Sequence, residues 1–397
     1  MTLHTIDQPV PSRRLGWAPF GLGFRPFFLG AGVHALLLMA LWLAVLGGHY
    51  APPTTYAPLL WHAHEMLFGF AGAVIAGFLL TAVQNWTSIP MTRGVPLAAL
   101  FVLWLAGRAA FLLPGVPPLL AAIVDLAFLP IVGLLVMRPI LKVGQQRNAP
   151  FPLMLLGLTV ANAFMHAEFM GLAQHAAHGG LVLGLMLVVL MMVAMGGRVI
   201  PYFTDNRVQS QARRWTPVEW LAPLSTLAVA VVWMAVPEGL PLAATAAAAA
   251  LVNGLRLAGW QNRRLWTVPL LWVLHLGYGW IVAGFVLLAL AAFGLLPQAL
   301  AVHAFTVGAM GGLILGMMAR VSLGHTGRRL EAATVMAWAF AVLNLAALVR
   351  VGLPLMSPSA APLAWQLSGG LWIVAYLVFV LVYTPVLLRE RVDGKPG

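Results

Sequence analysis

Long apolar runs separated by short polar turns fill almost the whole chain. They lie near residues 26–47, 59–86, 95–113, 117–140, 150–170, 177–203, 218–236, 240–260, 265–292, 297–320, 331–351 and 363–387. Each is close to the length of about 20 residues that a helix needs to cross ~30 Å of hydrocarbon. The pattern predicts twelve membrane-spanning helices in one domain, residues 25–388. A polar segment, 1–24, precedes this domain and a short tail, 389–397, follows it.

The composition supports this class of protein. The chain is 61% hydrophobic and only 8% of its residues are charged. In a soluble domain, roughly a quarter of all residues are charged. We therefore predict an all-α polytopic membrane protein that sits in a lipid bilayer. The chain has no cysteine, which excludes thiolate metal ligands, iron–sulfur clusters and covalently attached haem. Any metal must be held by His, Met, Asp or Glu.

The basic residues predict the orientation of the helices. Of the 22 Lys and Arg residues, all except Arg108 and Arg350 fall on one side of the predicted spans. By the positive-inside rule this side is the cytoplasm, so both termini are predicted to be cytoplasmic. The net charge of +12 is then a signal of topology, which argues against a nucleic-acid partner.

A second group of ionisable residues falls at the opposite, outer ends of the spans. Its members are His62, His64, Glu65, Arg108, His166, Glu168, His175, His178 and His303. Charged groups inside a membrane cost at least about 2.5 kcal/mol each, so they usually face the helix bundle or an aqueous cavity. Their common depth predicts a cofactor or metal site. The alternative is that some only anchor helices at the headgroup level, as His49, His175 and Arg350 can.

The spacing of the histidines limits their roles. His62 and Glu65 are three residues apart on one helix face, while His64 points away from His62 by about 200°. His175 and His178 have a spacing that suits one metal ion if both lie on a helical turn. Neutral imidazole binds iron, copper or zinc, and a carboxylate often orients its second nitrogen.

Three deeper residues stand alone in the sequence: His34, His275 and Asp125. For these we predict hydrogen bonds between helices, with a proton path as the alternative. The methionine-rich run "LMLVVLMMVAM" is predicted to serve packing, because methionine fills irregular gaps well.

Spans two, six and ten share a pattern that suggests an internal repeat. Each starts near a histidine, continues through Gly, Ala and Met, and ends in a polar turn. This predicts three four-helix units, as in haem–copper oxidase core subunits, which also place ligand histidines on helices two, six and ten. An adjacent His–His pair and the pattern His-x-x-x-Tyr are both absent, so an oxidase-type binuclear copper centre is unsupported.

Several long motifs resemble the NnrS family, in order, from the first span to the tenth. They are "FRPFFL" (Phe24–Leu29), "WHAHEMLFGF" (Trp61–Phe70), "GFLLTAVQNWT" (Gly77–Thr87), "GGRVIPYFT" (Gly196–Thr204) and "HAFTVGAMGGLILGMMARVSLGHTGR" (His303–Arg328). Gln84 and Asp205 depart from the family pattern, but neither is a candidate ligand. The resemblance implies a bacterial inner-membrane protein with haem and copper that takes part in nitric oxide metabolism, denitrification and the response to nitrosative stress.

Depth and spacing then give candidate ligands. We predict haem b held by His64 and His303, with His62 as the substitute for His64. Copper, or a second haem, would use His166, His175 and His178. Glu65, Glu168 and Arg108 would orient these ligands or neutralise haem propionates.

Three functions remain open at this point. In the first, the protein binds nitric oxide at haem or copper and protects iron pools, as a sensor or scavenger. Alternatively it is an oxidoreductase that turns over nitric oxide with quinol electrons, or a transporter of copper, haem or an anion.

Overall fold

A computed structural model describes residues 15–54 and 56–395. The first 14 residues of the predicted segment 1–24 therefore lie outside the described residues, as do Thr55 and the last two residues. The described residues form helices and no strand; one isolated bridge joins Trp17 and Arg389. The predicted all-α class is confirmed.

Twelve long helices account for the twelve predicted spans. They are α1 (Phe24–Leu46), α2 (Pro58–Thr87), α3 (Gly94–Ala110), α4 (Pro118–Lys142), α5 (Pro150–Phe169), α6 (Ala176–Val208), α7 (Thr216–Ala235), α8 (Leu240–Gly259), α9 (Pro269–Ala292), α10 (Gln298–His325), α11 (Thr334–Met356) and α12 (Ala361–Leu388). Eleven are long and apolar enough to cross a membrane, and α3 has 17 residues. The polytopic membrane class therefore follows from the structure as well.

Local sequence explains where the helices begin. Pro58, Pro118 and Pro150 each occupy the first position of a helix, where the missing N–H costs nothing and the fixed φ suits the helix. Short 3₁₀ turns precede α5, α9 and α12. The connections are short, so consecutive helices pack side by side.

Three helices occupy the interior of the bundle. In the most apolar window, 89% of α2, 78% of α10 and 61% of α6 is buried, against 50% or less for the other long spans. Helix α6 contacts both α2 and α10. These are the spans that the repeat pattern singled out, and their burial explains their Gly, Ala and Met content, because small and flexible side chains allow close packing. The grouping into three four-helix units stays a prediction.

Helices α2 and α10 share an irregularity that the sequence analysis did not predict. Each contains a π-helical stretch, Glu65–Ala71 in α2 and Ala304–Met310 in α10, which begins directly after a histidine. Counted from His64 and from His303, glycines follow at the same two offsets, Gly69 and Gly72 in α2 and Gly308 and Gly311 in α10. Such π turns are rare and are frequent at functional sites.

The two ends of the described chain meet at one end of the bundle. The Gly16 N–H donates to the Glu390 carboxylate (3.2 Å), and the Arg25 guanidinium donates to the carbonyl oxygens of Leu387 (3.0 Å) and Arg389 (2.5 Å). This is the arrangement that the predicted twelve crossings require, with both ends on the same side. That this side is the cytoplasm remains the prediction of the basic residues; we call the opposite end, where α2 begins, the outer end.

Candidate functional site: two polar clusters on opposite sides of helix α2

Polar side chains at the start of α2 point in two directions. His64 and Glu65 are buried, with 0% and 2% exposure, and face α3, α4 and α5. His62 faces α1 and α10, where its ring stacks on Trp42 with 4.3 Å between centroids. The predicted common face of His62 and Glu65 is therefore not observed, and one short motif supplies two separate sites. Positions three apart still differ by about 60° around a helix axis, because a turn takes 3.6 residues.

The first group is the carboxylate cluster: His64, Glu65, Arg108, Asp125, Asn162 and His166. At its centre, Asp125 Oδ2 lies 3.1 Å from His64 Nε2 and 3.0 Å from His166 Nε2. It also accepts a hydrogen bond from Asn162 Nδ2 at 2.7 Å. Helices α2 and α5 therefore place their outer-end polar groups around one carboxylate oxygen of α4.

Arg108 joins the two acidic residues of the carboxylate cluster. Its guanidinium donates to Glu65 Oε1 at 2.5 Å and to Asp125 Oδ1. With neutral histidines the cluster has two negative charges and one positive charge. A buried net charge of this kind is costly unless it is compensated, so the cluster has room for one further positive charge.

The surroundings of His64 indicate which atoms could carry this additional positive charge. Its Nδ1 lies 3.0 Å from Glu65 Oε1, and its Nε2 lies 2.8 Å from Asn162 Oδ1 as well as near Asp125. Acceptor oxygens thus surround both ring nitrogens, although a neutral imidazole has only one N–H. Either a second proton on His64 or a metal ion on Nε2 satisfies this arrangement.

His166 has a second partner of its own. The Tyr56 hydroxyl is hydrogen-bonded to His166 Nδ1, which leaves Nε2 directed at Asp125. Tyr56 belongs to the loop before α2, and burial raises its pKa, so the hydroxyl keeps its proton at neutral pH and can donate or accept. In both histidines one nitrogen faces Asp125 and the other is held by an oxygen. This is how metal-binding histidines are usually oriented.

The donor atoms of His64, Asp125 and His166 match the needs of a metal ion. Each side chain offers one ligand atom, and all three atoms lie within 4.8 Å of one another. The separations of 3.0 and 3.1 Å are close to the ~3.3 Å expected between two ligands that bind one metal at about 2.0–2.1 Å in tetrahedral geometry. Within the described part of the chain, this is the one group of three or more His, Asp or Glu residues with such spacing.

A cleft leads from the outer end towards the carboxylate cluster. Its volume is 450 Å³, and Tyr56 and Phe111 are among the residues that line it. Tyr56 is hydrogen-bonded to His166, and the Phe111 ring lies 4.8 Å from that of His64. A small molecule in the cleft would therefore contact Tyr56 and Phe111, and these two residues in turn contact His166 and His64.

The second group is the arginine cluster: Trp42, His62, His303, Arg350 and Trp365. His303 Nδ1 donates to the Ala299 carbonyl oxygen at 2.6 Å, and its Nε2 accepts from Arg350 Nη2 at 2.9 Å. His62 lies within electrostatic range of His303 and Arg350. Its Nδ1 is buried without a hydrogen-bond partner in the described structure.

The charge of the arginine cluster is opposite to that of the carboxylate cluster. Arg350 lies over the Trp365 ring, 5.6 Å from its centroid. Among residues 15–54 and 56–395, no carboxylate forms an ion pair with Arg350. Helix α2 thus separates a cluster with excess negative charge from one with excess positive charge.

The structure divides the predicted haem ligands between the two clusters. His64 belongs to the carboxylate cluster and His303 to the arginine cluster, so His62, the predicted substitute, is the residue of α2 that lies near His303. Arg108 and Glu65 lie beside His64, as expected for residues that orient a ligand.

The predicted copper ligands are also only partly brought together. His166 is central to the carboxylate cluster, but His175 and His178 are exposed at the start of α6. Glu168 Oε2 accepts the Ala177 N–H at 2.7 Å and so satisfies a free donor at the start of α6. A ligand role for these three residues stays a prediction.

Sequence reasoning missed the central role of Asp125 and the contribution of Tyr56. Asp125 appeared isolated, because its partners lie on three other helices. The available signal was its charge within an apolar span, which demands a buried partner. Tyr56 lies in a loop, where a single tyrosine gives no signal. His34 also lies at the edge of the carboxylate cluster, since its Nε2 is 3.4 Å from Glu65 Oε2.

These features define a polytopic helical membrane protein with a buried site of His, Asp and Arg near one membrane face. The chain matches the profile of the family described as NnrS protein over residues 18–391, nearly its whole length, and it belongs to that family. A comparison with curated proteins found no match.

Proposed function

We propose that this chain binds a metal ion through His64, His166 and Asp125 and that it binds nitric oxide there, as part of the response of a bacterial inner membrane to nitrosative stress. The observation that carries the proposal is the arrangement of both histidines around Asp125 Oδ2, with their other nitrogens held by Glu65 and Tyr56. Membership of the NnrS family supports the link to nitric oxide.

The donor set suits copper, the ion that the resemblance implies. Two imidazoles and one carboxylate bind copper, iron or zinc, and three protein ligands leave a position open for a small molecule. A bound copper ion would supply that open position and a redox couple. One added positive charge would balance the carboxylate cluster, while the imidazole and carboxylate donors also suit the divalent ion.

The protein residues around this site have separate tasks. Glu65 and Tyr56 hold the histidine rings, and Arg108 pairs with both carboxylates and holds them in place. Phe111 and Phe68 pack against the His64 ring at 4.8 and 5.2 Å between centroids. These apolar rings shield the His64 imidazole from water.

Haem b is the second cofactor that the resemblance implies, and the arginine cluster is its candidate site. His303 has the Nδ1 hydrogen bond that directs Nε2 outward, and His62 has an unpaired Nδ1. However, Arg350 donates to His303 Nε2, so His303 can bind iron only if Arg350 moves. Arg350 is well suited to pair with a propionate. Haem binding by His303 therefore depends on a movement of the Arg350 side chain.

The competing explanation for the carboxylate cluster is structural. A protonated His64 would satisfy the same oxygens without any metal, and the cluster would then only join four helices. Metal analysis separates these explanations, because the structural network requires no ion.

The test uses the full-length protein purified in detergent without chelators. We expect about one copper per chain by mass spectrometry of metals, nitrogen hyperfine coupling in the electron paramagnetic resonance spectrum of the oxidised protein, and a new N–O stretching band after addition of nitric oxide. His166→Ala should remove all three signals. His49→Ala, in the exposed loop after α1, is the matched control and should keep them.

A metal-free protein after growth with copper and iron would contradict the proposal, as would a metal content that is the same in His166→Ala. An optical spectrum tests haem separately: a Soret band that disappears in His62→Ala or His303→Ala supports the arginine cluster as its site. Turnover of nitric oxide with a quinol would indicate an oxidoreductase, and copper uptake into liposomes would indicate a transporter.

A further inference from the structure

One buried arginine takes part in neither polar cluster. Arg320 of α10 is only 7% exposed. It follows His303 by 17 residues, or roughly 25 Å along the helix axis, so it lies towards the opposite end of the bundle from both clusters. Helix α10 ends five residues later, at His325. Arg320 therefore belongs to the last turns of α10, on the side that the basic residues predict to be cytoplasmic.

Four arginines of the described chain are almost completely buried, and Arg320 differs from the other three. Arg25 donates to two backbone carbonyl oxygens, and Arg108 and Arg256 each pair with a glutamate. Within the part of the chain that the structure describes, the Arg320 guanidinium has neither a hydrogen bond nor an ion pair. A buried charge without a partner is costly, so we expect a ligand of opposite charge at Arg320.

An aromatic ring orients the Arg320 side chain. Its Cζ lies over the Phe203 ring of α6, 3.8 Å from the ring centroid. A guanidinium this close to a ring lies against its face, which directs the N–H groups outward along the edge of the group. The nitrogens can be reached from the surface, because none of them is among the fully enclosed polar atoms without a partner. Such an edge matches two oxygens of a phosphate or a carboxylate.

The neighbours of Arg320 leave one positive charge in excess. Arg207 and Tyr202 of α6 lie within electrostatic range. Arg207 pairs with Glu331 at 3.2 Å on the surface, and this pair is neutral. The surroundings therefore favour an anion with one negative charge, and the exposed Tyr202 offers a hydroxyl group on the same helix as Phe203.

The length of α6 places this region at the level of the lipid headgroups. Helix α6 has 33 residues, or roughly 50 Å, whereas the hydrocarbon core is about 30 Å thick. A centred helix then extends roughly 10 Å beyond the hydrocarbon at each end. Phe203 lies five residues before the end of α6 at Val208, or roughly 7.5 Å. Arg320, against the Phe203 ring, therefore lies where phospholipids place their phosphate groups.

We propose that Arg320, held against Phe203, binds the phosphate group of an anionic phospholipid. The edge of the guanidinium pairs with two phosphate oxygens, and the headgroup compensates the buried charge. Inorganic phosphate has the same chemistry, so the experiment must separate the two sources. The proposal does not depend on the proposed metal site, which lies at the other end of the bundle.

The experiment is a titration of the full-length protein, freed of lipid in detergent, with phosphatidylglycerol. Native mass spectrometry counts the bound lipids, and thermal unfolding reports the stabilisation that binding produces. We expect one saturable site and a rise in Tm. Arg320→Gln should weaken this site by about 10- to 100-fold, as for loss of a hydrogen bond to a charged group, and remove the rise in Tm.

Two controls match this variant and this lipid. Arg264→Gln also removes one positive charge from the same side of the bundle, at an exposed residue, and should bind phosphatidylglycerol like the unmodified protein. Diacylglycerol has the same chains without the phosphate and should not raise the Tm. Arg320→Lys keeps the charge but loses the planar fork, so its affinity should lie between those of the unmodified protein and Arg320→Gln.

The stability without lipid separates phosphate binding from simple packing. Arg320→Gln removes a buried charge that has no partner, so its Tm without lipid should equal or exceed that of the unmodified protein. A role in packing alone predicts a lower Tm in this variant and no response of the unmodified protein to phosphatidylglycerol. That result would overturn the proposal.

Two further outcomes would also contradict it. Equal affinities for phosphatidylglycerol in Arg320→Gln and Arg264→Gln would show that Arg320 does not bind the headgroup. A rise in Tm that depends on Arg320 with inorganic phosphate alone, and not with phosphatidylglycerol, would assign the site to a free anion and overturn the assignment to a lipid. If Arg320→Gln does not fold, Arg320→Lys provides the same comparisons.

Discussion

At the scale of single residues, the carboxylate cluster depends on Asp125. One of its oxygens is shared by His64, His166 and Asn162, and the other pairs with Arg108. Among the described residues, no other side chain of the cluster is hydrogen-bonded to four others. Its charge and its geometry can be tested separately, because asparagine preserves the shape of aspartate and removes its charge.

Asp125→Asn should abolish metal binding and lower the free energy of unfolding by about 1–3 kcal/mol. The variant removes a proposed metal ligand and leaves Arg108 with one carboxylate, Glu65, in place of two. Metal content and unfolding in a denaturing detergent measure the two effects. A protein that keeps its metal would show that Asp125 is not a ligand.

The control is Asp393→Asn, at the opposite end of the molecule. Asp393 pairs with Arg391 at 2.6 Å outside the membrane-spanning helices. The hydrogen bond from Arg391 lowers the pKa of Asp393 to about 2, so this aspartate is also ionised at neutral pH. The pair is exposed, and its loss should change stability by less than about 1 kcal/mol and leave the metal in place.

Tyr56→Phe tests the hydrogen bond that orients His166. Loss of the hydroxyl should weaken metal binding by about 10- to 100-fold, because partners of this kind orient metal ligands, while the fold stays intact. A chelator competition titration measures the affinity. Tyr202→Phe is the matched control at a tyrosine that is 59% exposed; equal affinities in the two variants would contradict the assignment.

At the scale of the element, the π-helical stretch of α2 brings its backbone close to two neighbouring helices. The Trp104 Nε1–H donates to the Gly69 carbonyl oxygen at 3.0 Å. A Cβ added at Gly69 would lie 2.7 Å from Arg108 Nη1 and 2.8 Å from His34 Nε2. The absence of a side chain at Gly69 therefore allows Arg108 to reach both carboxylates.

Gly69→Ala should destabilise the protein by about 1–3 kcal/mol and lower its metal content, because Arg108 must move away from Glu65. Gly72→Ala is the control on the same helix, since the nearest atom to its added Cβ is 3.8 Å away. That variant should stay within about 0.5 kcal/mol of the unmodified protein. Thermal unfolding and metal analysis of both variants provide the measurement, and equal losses would refute the steric argument.

At the scale of the whole molecule, charge is distributed by membrane side. Basic residues occupy the end where the termini meet, and the two polar clusters occupy the other. The orientation in the membrane is testable directly, because the chain has no native cysteine and single cysteines can be introduced on either side of one helix.

We expect Glu238→Cys, before α8, to react with a membrane-impermeant maleimide in intact spheroplasts, and Gln261→Cys, after α8, to react only after permeabilisation. Both positions are exposed. The expectation follows from the positive-inside rule. The reverse labelling pattern would place the carboxylate cluster on the cytoplasmic side and would exclude entry of its ligand from outside.

Much of the fold was predictable because the membrane restricts it severely. Every backbone N–H and C=O in the hydrocarbon must be paired within its own segment, so apolar length alone identifies the helices. The predicted spans agree with α1–α12 to within a few residues. The π turns were not predictable, since they depend on packing against α1 and α3 in one case and α9 and α11 in the other.

The sequence by itself determined the membrane class, the helices, the depth of the ionisable residues and the resemblance to the NnrS family. Hydrophobicity and charge are local properties, and they act along one axis, the membrane normal. Only the tertiary structure decided which residues of one layer face each other. It places Asp125 between His64 and His166. It also places His303 beside Arg350 and near His62, and not near His64 as predicted. Those pairings depend on the rotation and order of the helices around one another, which depth in the membrane does not determine.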